Sequence, residues 1–401
     1  MVSITNGVLS RKLLSLSLLL LVCCSCHSIT VKRDFDNNPA ETNWTLFGGD
    51  VGRTNHRTQT LSPPLKHLWT FKASSAIGPS LLAVDSVLYF ATLDGRFYAL
   101  RMSSAKKIGR IKTKEHNEVT CAYFDRCLVF ASRYGNTTLV KYDLEKGKTL
   151  WKKNIGHIAS EPLITDEGIF ISALYNHIDK YHFETGERLW TFKTEDQHRS
   201  SPAIAHNTLV VGCDNGLIYA LNAKSGKLKW QLKTGASVFA TPCIWEEAVY
   251  VGSADSTFYA LNLNTGEELW TYRTDNAIIH AAATDGEKVA FGCNNGRVYC
   301  LDASSGEELW RFQAKSVIST QPVMAGKVLY FGALDHYYYG LSLSDGSKVW
   351  AFETKGRIRT APVVWGRFLF GASEDRFVYA FLQPNKLDRH ALKDPWESST
   401  P

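Results

Sequence analysis

The amino-acid sequence predicts an all-β fold: an eight-bladed β-propeller of four-stranded antiparallel blades, closed by an N-terminal strand that completes the last blade. Three observations carry this expectation. Trp151, Trp190, Trp230, Trp270, Trp310 and Trp350 recur at a step of 40 residues with a single 39. Counting back reaches Gly109, where the tryptophan is missing, and then Trp69. A fixed period of this length marks a repeat architecture. Each period holds four short runs of β-branched and aromatic residues, with turn residues between them and no room for a helix. One such run is spare at the start of the chain and three at its end, which together make one more blade.

Ala240 to Asp275 is the type unit. Its strands are expected at Ala240 to Trp245, Ala248 to Gly252, Thr257 to Leu261 and Glu268 to Arg273, joined by Glu246-Glu247, Asp255-Ser256 and Asn262 to Gly266. A lone sheet this small cannot bury both faces, but repeated sheets stacked around an axis can. The tryptophan fills the gap between neighbouring sheets, and its N–H can reach a carbonyl of the adjacent turn. Trp69, Trp151, Trp190, Trp230, Trp270, Trp310 and Trp350 are therefore read as structural blade-docking residues. The glycine four positions before each of the last six (Gly147, Gly186, Gly226, Gly266, Gly306, Gly346) fits a tight turn or a close backbone approach.

Taken in order, residues 1–28 read as a signal peptide: Arg11-Lys12, the apolar run Leu13 to Val22, then Cys23-Cys24-Ser25-Cys26. Ten apolar-rich residues are too few to span a bilayer. Ser25-Cys26 fits the small residue and lipid-bearing cysteine of a lipoprotein signal, which makes Cys26 the lipidation candidate, with Cys24 or ordinary secretion as alternatives. Removal of the segment lowers the net charge from +6 to +4, short of what nucleic-acid binding would require. Residues 29–64 read as a tether and lead-in segment, 65–383 as the propeller and 384–401 as a loose tail. Whole units are expected to begin near Ile77, Val119, Ala159, Arg199, Phe239, Ile279 and Ser319. Leu68 to Lys72 then completes the blade of Thr360 to Trp365, Arg367 to Gly371 and Arg376 to Phe381. The product is a monomeric ring.

The repeated A-x-D/N-x-x-T/S-G-x-x-x-W, seen from Ala260 to Trp270, resembles the tryptophan-docking motif of PQQ-type β-propellers over about residues 44 to 382. Trp44, Phe47-Gly48-Gly49-Asp50 and Gly52-Arg53-Thr54 resemble the W-x-x-F-x-G-D segment that often precedes such propellers. The family holds quinoprotein dehydrogenases as well as non-enzymatic envelope proteins, among them the BamB-like lipoproteins of the outer-membrane β-barrel assembly machinery. The resemblance implies a protein-interaction scaffold on the periplasmic side of the outer membrane, with protein partners there and a membrane contact through lipid. The alternative is a quinoprotein oxidoreductase or small-ligand binder that uses the central funnel.

Quinoprotein dehydrogenases of this family resemble one another in a vicinal disulfide, a Ca²⁺ site and a general-base aspartate. The only vicinal cysteines here, Cys23-Cys24, lie in the signal. The inward positions at the funnel mouth are Gly78, Glu118, Ala159, Arg199, Phe239, Ile279, Ser319 and Arg359, and one carboxylate among them makes no acid–base pair. No metal motif, Gly-x-Ser-x-Gly or phosphate loop appears, so the reading is no enzyme, no cofactor and no metal. Arg199, Arg359, Glu118 and His280 are the funnel-mouth candidates, the two arginines facing each other four blades apart and making the mouth basic. His116, His157, His198 and His280 share one context and read as solvated loop residues. Cys121 and Cys127 sit on one expected hairpin, where a bridge is conceivable. The other cysteines beyond the signal read as small buried apolar residues.

Overall fold

The computed structural model describes residues 28–31, 43–112 and 119–385. Eight four-stranded antiparallel sheets are present among them, one of which gains a fifth strand. Blade 1 runs from Ile77–Val84 to Lys107–Lys112 and blade 2 from Val119–Phe124 to Lys148–Lys153. Blades 3 to 7 begin at Leu163–Thr165, Ala203–Ala205, Cys243–Trp245, Ala283–Thr284 and Val323–Ala325. Blade 8 is Val363–Trp365, Phe368–Ala372 and Phe377–Leu382, completed by Lys66–Lys72, with Trp69 opposite Ala380 and Lys72 opposite Phe377. The N-terminal strand therefore closes the ring as expected, which removes a sheet edge at the chain's two ends.

From blade 3 onward the first strands start about four residues later than the repeat suggested. In five of these six blades a proline (Pro162, Pro202, Pro242, Pro322, Pro362) offers no N–H to a ladder there; in blade 6 the place is taken by Ala282 and the strand starts equally late. Those four residues still run down the inner wall, where first strands of neighbouring blades touch. Hydroxyls tie that wall from blade to blade: Ser200 Oγ donates to Ala240 O at 2.9 Å and Thr360 Oγ1 to Gly78 O at 2.9 Å.

Between blades, the tryptophans act as expected. Trp190 Nε1 donates to Ala223 O (3.1 Å), Trp230 to Leu263 O (2.8 Å), Trp270 to Ala303 O (3.0 Å) and Trp310 to Leu343 O (3.0 Å), each in the next blade's third turn. Trp69 and Trp151 donate likewise to Met102 O and Phe183 O, and Trp350 packs edge-on against Phe381. A bulge in the fourth strand precedes the tryptophan: Ala260 faces Trp270 while Leu261 faces Glu268. This pushes Leu269 outward, half exposed, while the indole turns to the neighbouring blade. The motif glycine lies on the preceding blade's indole. A Cβ on Gly266, whose φ is +76°, would stand 2.6 Å from Trp230 Cδ2.

The lead-in segment that follows the tether is bound to the blades through its backbone. Residues 43–57 pass round the far ends of the first strands. Thr45 O accepts from Tyr123 N, Val51 O from Ile204 N, Gly52 O from Ile244 N, Thr54 O from Thr284 N and Asn55 O from Met324 N. His56–Arg57 then adds a parallel strand to blade 7. The segment thus seals one end of the ring, and the funnel mouth lies at the other.

Candidate functional site

The sealed end is held by a buried cation. Arg53 is fully buried, and its Nε donates to Pro202 O (3.1 Å) while Nη2 reaches Glu161 O (3.4 Å) and Pro162 O (3.3 Å) and Nη1 donates to Phe47 O. Burial lowers its pKa to about 10, against the pull of Glu161 and Asp50, so it stays charged at neutral pH. Carbonyls from two blades replace its water. Glu161, the carboxylate of the inner wall, accepts from Ser201 Oγ at 2.5 Å.

At the open end Arg199 and Arg359 occupy the mouth, but neither adds an uncompensated charge. Arg199 Nε meets Asp214 Oδ2 at 3.0 Å and stacks over Phe239, and Arg359 Nε meets Glu374 Oε1 at 2.5 Å. The expected basic mouth is therefore a pair of ion pairs, because the second-to-third turn of each blade brings a carboxylate up beside the arginine. His280 lies in the same wall, its pKa pushed down to about 4 by burial and then by the charge of Arg359. Glu118 and His116 fall outside the described residues, as does Cys26.

The histidines do not form a ring of solvated loop residues. His198 is fully buried, with Nδ1 2.8 Å from Gly212 O and Nε2 2.8 Å from Thr194 Oγ1. Gly212 O only accepts, so Nδ1 carries the hydrogen. Cys121 and Cys127 are free and buried: Cys121 faces Phe130, and Cys127 faces Phe124 across the hairpin. The bridge is absent because the two side chains sit at different registers. Among the described residues, no three His, Cys, Asp or Glu side chains gather as metal ligands. A quinone cofactor with its cation would require uncommitted carboxylates in the channel. Among the described residues of the inner wall, Glu161 is already engaged by Ser201 and Arg53 lies against its carbonyl, an arrangement that does not fit that group.

What the mouth does present is an aromatic cluster. His157 lies between Tyr134 and Tyr175, with ring centroids 4.8 and 4.9 Å apart, and Tyr175 OH is 2.9 Å from His157 Nδ1. Tyr175 is 56% exposed and Tyr134 44%, with Leu93 exposed on the neighbouring blade. The two tyrosines stand in the second-to-third turns of blades 3 and 2. The equivalent residue in the other six blades is Asp94, Asn215, Asp255, Asn295, Asp335 or Asp375. In four of these six the Asx caps the turn: Asn215 Oδ1 accepts from Leu217 N at 3.0 Å and Asp255 Oδ1 from Thr257 N at 2.8 Å, and Asn295 and Asp335 do the same. Two adjacent blades forgo that bond for an exposed ring. Aligning the eight turns reveals this substitution in sequence, whereas counting tryptophans does not.

The family model of the outer membrane protein assembly factor BamB matches residues 176–297 and 276–370. The chain is a PQQ-type β-propeller. BamB from Moraxella catarrhalis superposes on this propeller with a TM-score of 0.69 at 18% identity, over 80% of this chain and 100% of that one. Quinohemoprotein alcohol dehydrogenase ADHIIG from Pseudomonas putida HK5 gives a TM-score of 0.74 at 13% identity, over 85% of this chain and 80% of that one. The computationally designed Ika8 protein gives 0.72 at 17% identity, over 79% and 100%. No curated protein matches the sequence. Propellers of this type thus include both enzymes and an assembly factor, and likeness at these identities speaks for fold alone.

Proposed function

We propose that this propeller is an exported, lipid-anchored, non-catalytic scaffold of the cell envelope that docks a protein partner on its mouth face. The observation that carries this reading is the pair Tyr134 and Tyr175. Each gives up a turn-capping Asx to expose a ring, and departures from a local rule concentrate at functional sites. Aromatic rings of low conformational freedom are favoured anchors at protein interfaces. The sealed base, the paired mouth arginines and the engaged Glu161 support a scaffold over the alternative of a quinoprotein oxidoreductase. The export reading rests on residues 1–28, with Cys26 as the lipidated residue and the periplasmic side of the outer membrane as the location.

A photo-crosslinking residue placed at Tyr134 or Tyr175 in cells tests the docking face, with Asn264, exposed at the sealed end, as the control position. The reading predicts a discrete adduct with an envelope protein from 134 and 175 and none from 264. It also predicts that the pair Tyr134→Ala and Tyr175→Ala abolishes the adduct made from a third mouth position, Leu93, while thermal stability is kept. Equal labelling from both ends, or none from the mouth, contradicts it. The mass of the mature N-terminus tests the lipid at Cys26.

A further inference from the structure

The interface between blades 1 and 2 lacks its tryptophan, since Gly109 stands in that place, and the structure fills it from elsewhere in the chain. Ile29 is fully buried there. A Cβ on Gly109 would lie 2.5 Å from Ser28 O and 2.9 Å from Ile29 Cα, so the glycine makes room for the inserted backbone. Val31 N donates to Leu144 O at 2.9 Å. Leu144 O corresponds to Leu263 O, which takes the Trp230 indole N–H in the regular interface. Thr30 lies against Gly147 as the indole lies against Gly266. Tyr142 OH closes the site, 3.1 Å from Ile29 N and 3.2 Å from Ile29 O.

The chain is thereby gripped at a point very near its apolar run. Five residues separate Val22 from Ser28 and one, His27, separates Cys26 from it. Fully extended, these span at most about 20 Å and about 7 Å at roughly 3.5 Å per residue. The second distance lies within the roughly 8–10 Å over which a charged surface acts at ordinary salt.

The outer rim beside that point is basic. Arg101, Lys106, Lys107 and Lys112 of blade 1 and Lys148 and Lys152 of blade 2 are exposed. None of the six has a carboxylate partner among the described residues. The equivalent turns of blades 5 and 6 carry Glu267-Glu268 and Glu307-Glu308 instead. Blade 4 is also lysine-rich, but no chain end docks on it.

We propose that residues 28–31 replace the missing docking tryptophan and, given the lipid-anchored reading above, hold the basic rim of blades 1 and 2 against an anionic lipid surface, with the mouth turned away from it. The occupant is a bilayer because the anchor and the positive charge converge on the same rim. Juxtamembrane basic residues strengthen binding to anionic lipid by roughly fivefold each.

The test uses the mature full chain and its variant K106E/K107E/K148E, mixed with vesicles of phosphatidylcholine alone or with phosphatidylglycerol. Hydrogen exchange of residues 101–112 and 146–153 is expected to slow only on the phosphatidylglycerol vesicles, and high salt should reverse this. The same material without lipid should sediment with those vesicles at low salt, roughly a hundredfold more tightly than the triple variant. An unmodified N-terminus would overturn the anchor reading while this sedimentation still reads the rim. Rim exchange equal on both vesicles, or sedimentation unchanged by the triple reversal, overturns the proposal. The clip is tested by Gly109→Trp, which should fill the slot and release residues 28–31 to fast exchange with the ring intact. Protection of 28–31 retained in that variant would overturn the replacement.

Discussion

At the scale of single residues, the interface between blades depends on a glycine that lies flat on an indole. Gly266→Ala would bring a methyl to 2.6 Å from Trp230 at a positive φ, two penalties at once. The expected loss is about 1–3 kcal/mol, read as a lower denaturant midpoint with unchanged slope. Trp270→Phe keeps most of the apolar contact and loses the bond to Ala303 O, so it should cost about 1 kcal/mol. A buried imidazole sets a pH dependence. Burial lowers the His198 pKa to about 4, below its ordinary 6.5, so the unfolded chain takes up the proton first. The stability contributed by the neutral ring is complete above about pH 6.5. It is lost as pH falls from there toward 4, by up to about 3 kcal/mol. His280, also pushed down to about 4, acts in the same window. His198→Gln should flatten the slope of stability against pH between 6.5 and 4.5, and an unchanged slope would assign it to other groups.

At the scale of elements, the lead-in segment decides whether the ring has a channel. Its carbonyls run from blade to blade, and Arg53 ties the segment to blades 3 and 4 from inside. Arg53→Met keeps much of the volume but leaves four carbonyls without their donor. Such a change should cost about 2–4 kcal/mol and should speed hydrogen exchange at residues 47–55 before the blades open. Exchange that rises evenly around the ring would mean that the segment is not a separate support. The elements themselves were legible in sequence because a tryptophan, a glycine and a turn repeat together, and their spacing leaves only four strands per period. The starts of the first strands were less so. Residues such as Ser200 and Ser201 line the wall without joining a ladder, and only the proline that follows marks the difference.

For the whole molecule, closure by Lys66–Lys72 was legible because strands left over at the two ends must pair. The sealing of one end was not, since no periodicity distinguishes a polar tether from a segment bound through its backbone carbonyls. For the same reason the docking of residues 28–31 is invisible until Gly109 is seen as a vacancy that something must fill. The site was least legible of all. Arg199 and Arg359 read as mouth residues from the repeat, but their partners Asp214 and Glu374 come from turns that sequence distance does not connect. Tyr134 and Tyr175 stand where the repeat breaks, so a period count passes over them.

On the function proposed above, Arg53 and Glu161 are held by bonds inside the ring and the propeller acts by surface contact. Titrating the purified protein with pyrroloquinoline quinone in the presence of Ca²⁺, and following the quinone's absorbance, tests this most directly. A surface-acting ring should give no saturable change at any ratio; a saturable spectrum with one equivalent bound would mean that the channel holds the quinone.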